Sequence, residues 1–145
     1  MPEFPPILAA YIAGLKKHDV DAIAKTVSDD LAFITPARTL TRDQFLEMLR
    51  ALYAAFPDWR YDNEPPEQRD DVVAVKWRQS GTHTGTFALP GIAPVRPTGK
   101  HVRIPEQHFF YTIRNGKIVQ IRPDPVRGGA PGGILDQIGA RSHPL

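Results

Sequence analysis

The spacing of apolar residues changes at about residue 58, and this change constrains the fold more than any other feature of the sequence. Before it, apolar side chains recur at helical spacing, first at Leu8, Tyr11, Ile12 and Leu15 and later along a broad face from Phe45. After it, apolar and polar residues alternate, as they do in half-buried strands. Helices followed by a curved antiparallel sheet predict an α+β fold in which the helices cover one face of the sheet.

Capping and turn residues set the expected boundaries of these segments. We predict helices over Ile7–Leu15, Val20–Val27 and a third segment that Thr41 and Gln44 open and Pro57 ends. The predicted strands are Leu31–Thr35, Trp59–Glu64, Val72–Thr84, Lys100–Ile113 and Lys117–Arg122, with a tight turn at Asn115–Gly116. Between strands, the proline-rich segment Ala88–Gly99 is expected to be a loop, and Ile134–Gly139 a short helical turn. We expect a single domain over residues 1–145.

Composition limits the chemistry that the chain can perform. The sequence has no cysteine, which excludes disulfides, thiol nucleophiles and cysteine-bound metals and is typical of the cytoplasm. No apolar run reaches the roughly 20 residues of a membrane span. The net charge of +2 combines an acidic first half (8 Lys+Arg and 13 Asp+Glu in residues 1–71) with a basic second half (10 and 3), without a basic block. We therefore expect neither nucleic acid nor a membrane as a partner.

Four short motifs follow one another in the second half of the chain. They are Gly81-Thr82-His83-Thr84-Gly85, a proline-rich loop ending in Pro97-Thr98-Gly99-Lys100, Asn115-Gly116-Lys117-Ile118-Val119, and Gly133-Ile134-Leu135-Asp136-Gln137-Ile138-Gly139. From about Ile7 to Gly139 the chain resembles the SnoaL-like polyketide cyclase family of the NTF2-like superfamily. The resemblance implies a cone of N-terminal helices packed on a strongly curved antiparallel or mixed sheet, a deep apolar pocket, and often a homodimer formed through the sheet. Because this superfamily includes aldol cyclases, isomerases, dehydratases and epoxide hydrolases, the fold alone does not set the reaction.

The resemblance also implies a general acid/base. Characterised cyclases of the family resemble cofactor-free enzymes in which an Asp after the final hairpin, helped by a His, moves a proton during aldol closure. The matching position here is Asp124, between Pro123 and Pro125. Such a carboxylate needs a dry cavity, where burial raises its pKa toward neutrality. The alternative interpretation is an Asp that only shapes a turn between two prolines.

Glu106 and His108 stand out in the strand before the hairpin. Strict alternation places both on one face with Val102, Ile104 and Phe110, which predicts that they project into the apolar pocket. There Glu106 could orient the His108 imidazole or act as a base itself, although side chains two apart on a strand lie about 7 Å apart and need a water or a long rotamer to connect them. The alternative is a structural pair that is buried or faces a dimer partner.

His83 and Arg122 complete the candidate polar groups. His83 shares strand parity with Trp77 and is a candidate catalytic residue, although a lone strand histidine is more often structural. Arg122 shares parity with Asp124 and could pair with it or bind a substrate carboxyl or enolate, although an exposed pair is commoner. The sequence has no metal-binding histidine motif, phosphate loop or nucleophile elbow, so we expect no metal and no cofactor.

These observations converge on a small acid/base enzyme acting on a hydrophobic, polyketide-like carbonyl compound. The predicted catalytic residues are Asp124, His108, Glu106 and His83. The predicted substrate-binding residues are Tyr11, Phe33, Phe45, Trp77, Phe110 and Arg122. Two alternatives stay open, namely an isomerase, dehydratase or epoxide hydrolase that uses the same carboxylates, and a non-catalytic binding protein for a hydrophobic ligand.

Overall fold

The computed structural model describes residues 5–139. Its helices are α1 (Pro6–Lys17), α2 (Val20–Ala24), α3 (Arg42–Ala55) and α4 (Gly132–Gln137). Its strands are β1 (Val27–Ile34), β2 (Thr39–Leu40), β3 (Arg60–Asn63), β4 (Glu67–Arg69), β5 (Val72–Thr82), β6 (His101–Arg114) and β7 (Lys117–Pro123). The expected helices and long strands are present, while β2 and β4 were not predicted and β1 begins four residues earlier than expected.

Local sequence chemistry explains where α1 and α3 begin and end. Pro6 opens α1, where its missing N–H costs nothing, and His18 ends that helix in a left-handed conformation. The predicted capping box of α3 is confirmed, since the Gln44 N–H donates to Thr41 Oγ1 and the Thr41 N–H donates to Gln44 Oε1 at 2.9 Å. This capping box satisfies two backbone N–H donors that the start of the helix would otherwise leave unpaired.

The sheet is mixed and open. Its strand order within residues 5–139 is β2-β1-β7-β6-β5-β3, with β4 pairing separately along β5. Neighbouring strands run antiparallel except β1 and β7, which are parallel. Helices α1 and α3 contact this sheet, and one continuous cluster of buried apolar side chains fills the space between them. The predicted α+β class, with helices on a curved mixed sheet, is confirmed.

A β-bulge in β6 reverses the alternation that the sequence suggests. Trp77 of β5 pairs with Gln107, and Gln79 pairs with Ile104, so Arg78 faces two residues of β6, Pro105 and Glu106. Proline has no N–H for the sheet and is typical of such positions. The buried residues of β6 are therefore Val102 and Ile104 before the bulge, and Gln107, Phe109 and Tyr111 after it.

Two glycines allow the end of β5 to approach α3 and the segment behind it. A Cβ on Gly81 would lie 2.6 Å from Trp59 Cε3, and one on Gly85 would collide with the Ala54 carbonyl oxygen. Because glycine has no side chain, Trp59 and the end of α3 can pack directly against the backbone at these two positions. Within residues 5–139, no helix has both the length and the apolar character that crossing a membrane requires.

Candidate functional site: an aromatic pocket inside the cone

An apolar cavity lies between the helices and the concave face of the sheet. Its empty volume is about 630 Å³, counted to include the mouth that opens to solvent. Aromatic side chains from seven different segments dominate its wall, joined by aliphatic residues of α1, α3 and α4. The lining residues are Tyr11, Leu15, Phe33, Phe45, Met48, Leu49, Leu52, Tyr61, Trp77, Gln79, Phe87, Phe109, Tyr111, Ala130, Pro131, Ile134 and Leu135.

Four of the six predicted substrate-binding residues lie in this wall. They are Tyr11, Phe33, Phe45 and Trp77, and the rings of Phe33 and Phe45 stack 4.9 Å apart. The expected position of Phe110 and Arg122 in the pocket is wrong. Both lie on the outer face of the sheet, where the Arg122 guanidinium packs 4.6 Å from the centre of the Phe110 ring.

Every polar group of the wall is neutral. No Asp, Glu, His, Lys or Arg is among the lining residues of the described chain. The polar atoms belong to the hydroxyls of Tyr11, Tyr61 and Tyr111, the indole of Trp77 and the amide of Gln79. A pocket of this kind offers hydrogen bonds without charge, so it favours an uncharged ligand over an ion that would be buried without a counter-charge.

Hydrogen bonds fix two of the tyrosines. The Trp77 Nε1–H donates to the Tyr111 hydroxyl oxygen at 2.9 Å, and Tyr11 packs edge-on against the same Tyr111 ring at 5.4 Å. On the other side, the Tyr61 hydroxyl lies 2.7 Å from that of half-buried Tyr53. Stacking on the His18 ring, 4.0 Å away, holds Tyr53 in turn.

Burial keeps these phenols protonated. Desolvation is the main cause that raises the pKa of Tyr11, Tyr61 and Tyr111 above the ordinary value of 10.0. For Tyr11 and Tyr61, the neighbouring phenols raise the pKa further, since a second negative charge in the cluster would be repelled. The hydroxyls therefore act as hydrogen-bond donors near neutral pH rather than as phenolate bases.

The prediction that Glu106 and His108 face the pocket is wrong, and the bulge is the physical reason. The extra residue at Pro105–Glu106 turns His108 outward, where it is half-buried and its ring lies 6.2 Å from that of Phe110. Glu106 is exposed and lies 3.7 Å from Lys76 Nζ and 3.5 Å from Arg78 Nη1. The bulge instead turns Gln107 inward, a residue that the sequence analysis did not select.

Asp124 lies beside the pocket rather than in it. It lines an adjoining cleft of about 310 Å³ together with Gln107 and the segment Gly129–Gly132. Ala130 and Pro131 line both cavities and therefore form the wall between them. Asp124 and Arg122 form no ion pair, and among the described residues the Asp124 carboxylate has no hydrogen-bond partner.

His83 is fully buried but does not line the pocket. Its ring stacks on Phe56 at 5.2 Å, and its Nδ1 accepts the Thr98 N–H at 3.1 Å. Because Nδ1 is an acceptor, the proton of the neutral ring sits on Nε2, which is buried without a partner among residues 5–139. Burial lowers the pKa of His83, so the neutral form dominates. The contacts assign His83 to anchoring the proline-rich loop.

Sequence reasoning missed Tyr61, Tyr111, Gln79 and Gln107. Tyr61 carries a weak signal, since it shares strand parity with Trp59. Strict alternation places Tyr111 on the outward side of β6, and Gln79 and Gln107 look like ordinary polar strand residues. Pro105 is the sequence signal for the bulge, since proline inside a strand is typical of bulges, and a bulge exchanges the inward and outward residues that follow it. The part of the chain that the structure describes holds no group of three or more His, Asp or Glu side chains suited to a metal ion.

Comparisons with known proteins agree with this architecture. A family model described as SnoaL-like polyketide cyclase matches residues 6–123. Among curated proteins, none matches the chain.

Solved structures show the same fold at low sequence identity. AclR from Streptomyces galilaeus, a candidate hydroxylase, is 20% identical with a TM-score of 0.70, over 94% of this chain and 85% of that one. A candidate SnoaL-like polyketide cyclase from Jannaschia sp. CCS1 is 18% identical with a TM-score of 0.70, over 98% and 100%. IdmH from Streptomyces antibioticus, a candidate polyketide cyclase, is 20% identical with a TM-score of 0.67, over 92% and 96%.

Proposed function

The chain belongs to the SnoaL-like polyketide cyclase family, and from this premise we propose that it is a cofactor-free enzyme that closes or rearranges a hydrophobic, polyketide-like carbonyl compound. One observation carries the proposal, namely an apolar pocket whose polar groups, among the lining residues that the structure describes, are neutral hydrogen-bond donors and acceptors. Such a pocket can hold a flexible carbonyl chain in a folded shape and exclude water from it.

The tyrosine hydroxyls supply the catalytic chemistry of this proposal. In an aldol closure, one carbonyl of the substrate becomes an enol, and its α-carbon forms a bond to a second carbonyl carbon of the same molecule. The proton lost from the α-carbon is balanced by the proton that the new alkoxide gains, so no cofactor is consumed. Negative charge develops on oxygen in both steps. A neutral hydroxyl donating to that oxygen in a dry pocket stabilises the charge, as an oxyanion hole does.

The substrate that suits this wall is uncharged and rich in aromatic or conjugated surface. Phe33, Phe45, Trp77 and Phe109 offer flat apolar faces, and no lysine or arginine of the described wall could pair with a carboxylate. Burying an unpaired carboxylate in such a site would cost several kcal/mol. An acidic CH2 group between two carbonyls needs only a weak base, such as water at the pocket mouth, once one of its oxygens is hydrogen-bonded.

A non-catalytic binding protein is the second candidate. The observation that favours it is the position of the four predicted acid/base residues, none of which lines the pocket. Under this alternative the same tyrosines hold a ligand oxygen, and the ligand leaves unchanged. The predicted homodimer is compatible with both candidates and stays a prediction.

Tyrosine variants separate these possibilities. We would measure binding and conversion of a linear aryl 1,3,5-triketone, following the cyclised product by chromatography. We expect Tyr111→Phe to lower kcat by about 100-fold or more, because the loss of one oxyanion donor has an effect of that size. Phe110→Leu on the outer face serves as the control and should keep wild-type activity.

The alternatives predict different results in the same assay. Saturable binding without conversion would favour the binding protein. Full activity in Tyr111→Phe with loss of activity in folded Asp124→Asn would contradict the tyrosine mechanism and support the acid/base role that the family resemblance implies for Asp124. Absence of saturable binding would overturn the whole proposal.

A further inference from the structure

The amide of Gln79 lies in the pocket wall, and a hydrogen bond from Trp59, which lies outside the wall, fixes its orientation. Gln79 is 7% exposed and lines the cavity. Its Oε1 accepts the Trp59 Nε1–H at 3.2 Å, and its Nε2 has no hydrogen-bond partner among residues 5–139. We propose that Gln79 is the specificity-determining donor of the pocket and selects ligands that place a carbonyl oxygen against its NH2 group.

The orientation of the amide follows from chemistry. An indole N–H can only donate, so the Gln79 atom within hydrogen-bond distance of Trp59 must be the oxygen. The NH2 group is then left for the cavity. A free glutamine in the same place could rotate its amide and satisfy either a donor or an acceptor, and Trp59 removes that choice.

The surroundings of Trp59 hold it firmly. Its ring packs edge-on against Phe56 at 5.2 Å, and its carbonyl oxygen accepts a hydrogen bond from His18 Nε2 at 2.7 Å. Gly81 leaves room for the ring, because a Cβ there would lie 2.6 Å from Trp59 Cε3. Trp59 is 3% exposed and does not line the cavity, so it acts on the ligand only by positioning Gln79.

The inference rests on the proposed function, since it assumes that the pocket takes a hydrophobic carbonyl compound. It adds a selection rule. A ligand oxygen that accepts a hydrogen bond satisfies the NH2 group, whereas an alkyl group of the same shape leaves a buried donor unpaired. A net hydrogen bond of this kind corresponds to about a 2- to 10-fold difference in affinity.

A matched pair of ligands tests the rule. We would titrate the full chain with 2-acetylnaphthalene and with 2-isopropenylnaphthalene, which has nearly the same shape and carries a CH2 group in place of the carbonyl oxygen. Nitrogen-15 NMR spectra would report both the dissociation constants and the side-chain NH2 resonance of Gln79, which its absence in Gln79→Met identifies. We expect 2-acetylnaphthalene to bind about 2- to 10-fold more tightly and to shift that resonance downfield.

Three variants isolate the parts of the inference. Gln79→Met should bring the affinity ratio of the two ligands to about one. Trp59→Phe should lower the ratio without removing the NH2 group, because the amide is then free to rotate. Gln120→Met, on a half-buried position of β7 outside the pocket wall, is the matched control and should keep the wild-type ratio.

Each outcome has a distinct meaning. An unchanged ratio in folded Gln79→Met, or a Gln79 resonance that does not move with 2-acetylnaphthalene, overturns the role of Gln79 while leaving the pocket as a ligand site. An unchanged ratio in Trp59→Phe overturns the locking by Trp59. If neither ligand binds to the wild-type chain, the proposed function fails and this inference fails with it.

Discussion

Replacing Gln107 by leucine should destabilise the chain and open the pocket wall. The Gln107 side chain is 3% exposed, and its amide bonds only to backbone groups. Its Nε2 donates to the Asp124 carbonyl at 2.8 Å, and its Oε1 accepts the Ala130 N–H at 2.9 Å. Gln107 therefore ties the segment that follows β7 to the middle of β6.

The size of the effect follows from the groups that leucine would leave unpaired. The Ala130 N–H loses its partner, while the Asp124 carbonyl keeps the Val126 N–H at 2.8 Å. With about 1–3 kcal/mol for each buried group that loses its partner, and less for the carbonyl, we expect the free energy of unfolding to fall by about 2–4 kcal/mol. In urea this corresponds to a midpoint lowered by about 1–2 M for a domain of this size.

Urea unfolding followed by circular dichroism measures this change, and Gln120→Leu is the control. Gln120 is half-buried, and its side chain makes no hydrogen bond within residues 5–139, so we expect a change below about 0.5 kcal/mol. Gly129→Ala should destabilise in the same direction, because its Cβ would lie 2.6 Å from Gln107 Nε2. A loss below about 1 kcal/mol in Gln107→Leu would refute the reasoning, since it would mean that the segment holds its position without the amide.

Three further outcomes are expected. The pKa of His83 is lowered in the fold, so the unfolded chain takes up the proton first as the pH falls. The free energy of unfolding should therefore decrease below about pH 6.5, by at most about 1.4 kcal/mol per pH unit. His83→Gln should remove that part of the pH dependence in urea titrations, and an identical pH dependence in the variant would contradict the prediction. Burial raises the pKa of all four tyrosines, so tyrosinate absorbance at 295 nm should stay absent from the folded chain through pH 10. The free energy of unfolding should decrease above about pH 10, because the tyrosines of the unfolded chain ionise there. Titration of the folded chain at the ordinary pKa of tyrosine would show that the cluster is hydrated. Glu106→Gln should change the free energy of unfolding by less than about 1 kcal/mol, because the ion pairs of Glu106 with Lys76 and Arg78 are exposed. The variant should also keep the wild-type ligand affinity. A loss of ligand binding would show that Glu106 belongs to the site.

Local rules account for the parts of the fold that the sequence predicted well. The capping box of Thr41 and Gln44 and the turn at Asn115–Gly116 depend on a few neighbouring residues, so their positions can be read from the chain. The inward positions of Tyr11 and Trp77 follow from regular helix and strand periods before any irregularity occurs.

The parts that were missed depend on contacts between distant segments. The face that His108 occupies changes with one extra residue at Pro105–Glu106, which alternation cannot register. The orientation of Gln79 depends on Trp59, 20 residues earlier, and the tyrosine cluster joins α1, β3 and β6. The short strands β2 and β4 carry too few residues to show a period.

The bulge in β6 also bears on how a pocket of this type can change during evolution. Because parity after Pro105 decides which side chains line the cavity, losing one residue there would exchange Gln107, Phe109 and Tyr111 for His108 and Phe110 in a single event. An insertion or deletion of one codon would thus replace a neutral wall by one that carries an imidazole. In this fold, a change of one residue in strand length therefore alters several positions of the pocket wall at once, whereas a single substitution alters one.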